Sequence, residues 1–155
     1  MGKKRNIDLI TEWAVWANLH PKVDLVSLLL KGHLLLEVIL NEVLRRNKIH
    51  DYEYLSFYRK ITLLDEFVVC NEKKKNFIVS TLKDINSLRN KIAHELNFDI
   101  RNGDFADWAK RITNNLEGEK FTRYTFRTRI QNSFSILSIN LLGLKDKRTK
   151  IHHMN

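Results

Sequence analysis

Apolar side chains recur along this chain at three- and four-residue steps, the pattern of helices that each bury one face. Six segments follow it, the first over about 6–19 with Ile10, Trp13, Ala14 and Ala17 on one side. Pro21 then punctuates the chain. The second segment covers about 22–47, the third about 52–70 with Leu55, Ile61, Leu64 and Val68, and the fourth about 72–97. Asn102-Gly103 marks a turn. Asp104 is placed to cap a fifth helix over about 105–117, ending near Gly118. A sixth, over about 122–144, carries Phe126, Ile130, Phe134, Leu137 and Leu141 at helical spacing. No repeat or composition break divides the chain, so residues 1–144 are expected to form a single all-α domain, followed by a basic, flexible tail over 145–155.

The second segment departs from the one-faced pattern. Leu25, Leu29, Leu36, Leu40 and Val43 make one stripe, while Leu30, Leu34 and Val38 make another on a different side. A helix apolar on two sides is buried on two sides, and in a small domain another subunit can supply the second contact. Between the stripes run His33, Glu37 and Asn41, a polar line that either faces water or finds hydrogen-bond partners on a neighbouring helix.

The fourth segment carries the densest candidate chemistry. Ile78, Leu82, Ile85, Leu88 and Ile92 form its core stripe, and Asn86, Asn90 and His94 form a separate line at four-residue steps. Ala93 beside that line lets another helix come close, and Arg89 can swing its long side chain toward the same surface. A guanidinium donates two parallel hydrogen bonds to a phosphate and keeps its charge. An imidazole gives or takes a proton near neutrality. With Asn90 to orient either one, these are groups that phosphodiester cleavage can use without a metal, and RNA suits them because its 2′-OH supplies the nucleophile. On the residues alone, the ordinary reading is a solvated face near a helix C-terminus, where cations are favoured.

Composition sharpens the fold and the partner class. Five Gly and one Pro in 155 residues leave little material for the turns of a β-sandwich or barrel. A formal charge of +9 favours an acidic partner such as nucleic acid, an anionic membrane or an acidic protein, or else is a plain basic surface. The lone Cys70 excludes an intrachain disulfide and a cysteine-built zinc site, and fits a reducing, cytoplasmic setting with the thiol buried in Phe67-Val68-Val69-Cys70. No apolar run approaches the roughly 20 residues that span a membrane, and no membrane partner is expected.

Arg89-Asn90-Lys91-Ile92-Ala93-His94 is similar to the R-x4–6-H motif of the HEPN superfamily. KGHLLLEVILNEVL resembles that family's long apolar helix with an embedded acidic residue. LSFYRKITLLDEF resembles the helix that follows it in prokaryotic members related to mannitol-operon repressors and in stand-alone members. The resemblance covers roughly residues 23–97. It implies an up-and-down HEPN bundle, here with additional terminal helices, that forms a homodimer and cleaves RNA as a metal-independent endoribonuclease without a cofactor. Many members act as toxins in toxin–antitoxin or antiviral defence systems, so an antitoxin or other regulatory protein is an expected partner. Carried over, Arg89 and His94 are the catalytic pair and Asn90 the supporting polar residue. Glu37 takes the acidic position and is expected to orient Arg89 or His94, with His33, Asn41 and Asn86 as neighbours. Two alternatives stay open: a catalytically silent HEPN regulatory or protein-interaction dimer, and a nucleic-acid-binding repressor.

Elsewhere, Arg123-Tyr124-Thr125-Phe126-Arg127-Thr128-Arg129 interleaves cations with aromatics, which suits backbone and stacking contacts with nucleic acid or is simply a basic helix start. Arg123, Arg127, Arg129 and Lys91 are the nucleic-acid-binding candidates. Trp13 is expected in the core, while Trp16 and Trp108 are open candidates for base stacking. His152-His153 with His50 or His20 lacks helix-borne ligand spacing, and no metal site is expected.

Overall fold

A computed structural model describes residues 24–120 and 125–144. The expected first helix, Trp13, Trp16, His20, Arg123 and the tail lie outside the described residues. Five helices follow in order: α1 Leu25–Arg46, α2 Phe57–Phe67, α3 Glu72–His94, α4 Asp104–Asn115 and α5 Phe126–Leu142. Among the described residues there is no strand, and no helix is long and apolar enough to cross a membrane. The all-α bundle expected from the sequence is what the chain forms.

Local chemistry sets the helix starts. Asp24 caps α1 by accepting from the backbone N–H of Ser27 at 3.0 Å. Ser56 and Asn71 cap α2 and α3 in the same way. The third segment therefore helicalises later than its apolar pattern suggested, because Ser56 captures the chain at the start of α2. At α4 the expected cap is displaced by one residue. Gly103, at φ 107°, occupies the cap position and Asp104 is the first helical residue. That left-handed backbone favours glycine, and Asn102 Oδ1 accepts from the Asp104 N–H at 2.9 Å. Thr125 opens α5 with a reciprocal capping box to Thr128.

The core joins the predicted stripes. Leu29, Leu36 and Leu40 of α1 meet Ile61 and Leu64 of α2, Ile78, Leu82 and Ile85 of α3, and Phe134 and Leu137 of α5 in one buried cluster. Gly32 lets α1 press against α5: a Cβ there would stand 2.2 Å from Phe134 Cζ, and that ring is fully buried. Trp108 belongs to this core, 2% exposed, with its indole N–H donating to the Thr81 carbonyl at 2.9 Å. It is not available to stack on a base.

Helix directions fix which ends meet. Leu25 shares a cavity with Arg101, Ala106 and Phe126, so α1, α4 and α5 all begin at one end. Asn71, Phe77, Glu117 and Asn140 share a cavity at the other end, so α3 begins where α4 and α5 finish. Helices α4 and α5 thus run in the same sense rather than alternating. The stretch 116–120 lies along α5, with Asn140 donating to the Glu117 carbonyl and Asn132 to that of Glu119. Helix α3 opposes both, and its C-terminus, with Arg89 and His94, lies at the end where α1 begins.

Candidate functional site

The polar line of α1 finds its partners across the bundle. His33, buried at 6% exposure, lies 3.1 Å from Asn86 on α3 through its Nε2. An amide oxygen only accepts, so the ring carries its proton on Nε2 and donates it to Asn86 Oδ1. The other side of the ring packs on Phe57 of α2, with ring centroids 4.2 Å apart. Burial pushes the His33 pKa below its ordinary value, and the Arg89 charge adds to that. The Asn86 hydrogen bond and the Glu37 carboxylate oppose it. His33 is therefore a neutral structural imidazole.

One turn along α1, Glu37 accepts from Lys60 Nζ at 2.8 Å. The Lys60 side chain is 3% exposed and that of Glu37 30%, so the ammonium is buried and relies on this carboxylate. Glu37 was expected to orient Arg89 or His94. Within the protomer it holds Lys60 instead. Lys60 is the residue that motif reasoning passed over, and a signal for it exists: it stands at three- and four-residue steps from Phe57 and Leu64, on the buried face of α2. The next step of the line, Asn41, has a buried side-chain oxygen with no hydrogen-bond partner.

The R-x4-H residues stand differently. Arg89 is half-buried and its Nη1 donates to Asn90 Oδ1 at 3.2 Å, so the amide steadies the guanidinium from the neighbouring position. His94 is the last residue of α3 and is exposed, as are Ala93 and Asn90. Five residues apart on a helix, Arg89 and His94 point about 140° from one another, so one copy of α3 does not aim both at a single atom. The second apolar stripe of α1 borders this polar line and remains open in the protomer: Val26 and Leu30 are each 37% exposed, Leu34 62% and Val38 65%. The sequence expectation that both faces of this helix are covered is met on one side only. Val26 and Leu30 belong to the half of α1 that begins at the His94 end.

The remaining cationic candidates separate. Lys91 lies over the Phe98 ring, 5.9 Å from its centroid, and lines a cavity of about 260 Å³ with Asp84, Asp104, Asp107 and Arg111. Carboxylates offset its charge there, and Asp84 already forms an ion pair with Arg111. Arg127 and Arg129 are half-buried in the first turn of α5, and Arg127 lines the cavity beside Leu25 and Arg101. Among the described residues, no group of three or more His, Cys, Asp or Glu gathers to hold a metal ion. Comparison with known proteins finds no matching family model, no matching curated protein and no matching solved structure.

Proposed function

We propose that this chain is a HEPN-type, metal-independent endoribonuclease that works as a homodimer, most simply as a toxin or defence component. The observation that carries the reading is the contrast along α3. Asn86 is spent on His33 inside the fold, whereas Arg89, Asn90 and His94 remain at an open end. An exposed apolar stripe on α1 begins at the same end of the bundle. A second copy covering that stripe would bring two R-x4-H segments together and compensate for the divergent aim of Arg89 and His94 within one helix.

The chemistry follows from the groups. The RNA 2′-oxygen attacks the adjacent phosphorus while its proton passes to a base, and the P–O5′ bond breaks as O5′ gains a proton. His94, exposed at the end of α3, handles one of these protons. Arg89, steadied by Asn90, balances the negative charge that builds on the non-bridging oxygens. The products are a 2′,3′-cyclic phosphate and a 5′-hydroxyl. End-group analysis of cleaved RNA tests this route: 3′-hydroxyl and 5′-phosphate ends would contradict it. Growth arrest on expression, relieved by His94→Ala, is the cellular counterpart.

The silent-dimer reading draws on one observation, that Glu37 is committed to Lys60 rather than to the R-x4-H residues. It predicts a dimer that binds a partner protein and leaves RNA intact.

A further inference from the structure

A cavity of about 650 Å³ lies at the same end of the bundle as His94. Its size falls within the roughly 300–1,000 Å³ of small-ligand sites. Leu25, Ala106 and Phe126 give it an apolar lining, and Arg101 and Arg127 contribute guanidinium groups. Phe126 opens α5 and is 40% exposed, a large aromatic on the surface of an otherwise buried helix. Arg101 is exposed and its side chain makes no ion pair or hydrogen bond among the described residues; only its backbone N–H is engaged, by Asp99 Oδ1 at 2.9 Å.

Of the acidic residues nearby, Asp99 accepts from the Arg101 backbone N–H, and Asp104 and Asp24 accept from other groups. Asp104 accepts from Asn102 Nδ2, and with Asp107 it lines the separate cavity that contains Lys91. Asp24 is turned onto Ser27, accepting from both its N–H and its hydroxyl. No carboxylate is among the described lining residues. A cavity with cations, an aromatic edge and no carboxylate among its described lining residues suits a ligand that is both flat and negatively charged. A nucleotide has that combination, with a π-face to stack and a phosphate for a bidentate guanidinium. An acidic peptide supplies the charge without the flat face.

We infer that this cavity is a nucleotide subsite for single-stranded RNA, with the base against Phe126 and a phosphate on Arg101, adjacent to the Arg89–His94 end. The inference rests on the reading that RNA is the substrate, and it adds where the strand is gripped away from the cut.

The test measures fluorescence anisotropy of a short labelled single-stranded RNA with the full-length His94→Ala protein, so that turnover does not interfere. Adding Phe126→Ala or Arg101→Ala is expected to weaken binding about tenfold each, within the range of base stacking and phosphate contacts. Phe126→Trp retains affinity. Arg101→Ala also lowers the salt dependence of log K by roughly 0.7, the loss of one phosphate contact. Arg45→Ala, which removes a cation paired with Glu42 on α1, leaves binding within twofold. Unchanged melting temperatures for these variants show that the fold is intact. Equal affinity in the parent, Phe126→Ala and Arg101→Ala overturns the subsite, and so does competition by polyglutamate as strong as that by unlabelled RNA. Cleavage is assayed separately with intact His94. Cutting that is indifferent to Phe126 and Arg101 sinks the subsite alone, whereas affected binding without any cutting sinks the nuclease reading alone.

Discussion

The two ends of the polar seam between α1 and α3 share a four-residue rhythm and differ in every physical respect. At the closed end, His33 is bonded to Asn86 and stacked on Phe57, and the buried Lys60 is held by Glu37. At the open end, Arg89 donates to its neighbour Asn90, and His94 is exposed. Polar groups buried in a core need partners and become structural once they have them. Groups left at the surface cost the fold little and remain free for a substrate. The comparison assigns stability to the closed end and leaves the open end for the proposed chemistry.

The largest break in that comparison comes from Glu37. Glu37→Ala strands a buried ammonium and should cost about 3 kcal/mol in urea unfolding, whereas His94→Ala at the open end should stay within about 0.5 kcal/mol. Similar losses for both would erase the distinction. Lys60→Met in the Glu37→Gln background should recover most of the stability, since an apolar side chain needs no counter-charge.

The apolar stripe is the next point of attack. Leu34→Asp with Val38→Asp places charge on side chains that are 62% and 65% exposed in the protomer. Protomer helicity should survive, and the mass by sedimentation should fall from that of two chains to that of one. A parent that is already monomeric at micromolar concentration would contradict the shared cleft.

Acidification has a smaller expected effect, through His33. The folded pKa of His33 is lowered, so below the ordinary imidazole value near 6.5 the unfolded state binds the proton more readily than the folded one. Stability is unaffected by this group above that pH, falls as pH drops through it, and levels off below the folded pKa. His33→Gln should flatten this part of the stability profile, which equilibrium unfolding over a pH series checks.

Helical periodicity made most of the framework legible. The stripe of α1, Ile78, Leu82, Ile85 and Leu88 of α3, and Ile130, Phe134, Leu137 and Leu141 of α5 occupy the core as spaced, whereas Phe126 is exposed. Helix starts were less legible because single side chains such as Ser56 and the positive φ of Gly103 decide them. The line Asn86, Asn90, His94 was readable as a line, yet its division was not. Asn86 is spent because His33 stands opposite it, and that pairing joins residues 53 positions apart. Likewise, no local pattern joins Glu37 to Lys60, 23 positions away, until α2 packs beside α1. Arg101 escaped notice because it sits in a short connection with no periodic pattern. Only the cavity with Phe126 and Arg127 gives it context.

The central claim concerns Arg89 and His94, and RNA cleavage measures it most directly. Purified parent protein is incubated with single-stranded RNA in excess EDTA, beside Arg89→Ala and His94→Ala proteins of matched fold. The account predicts cutting by the parent and a loss of at least about a hundredfold in each variant, the scale of a removed acid–base or charge-stabilising group. Equal cutting by all three, or none by any, would contradict it.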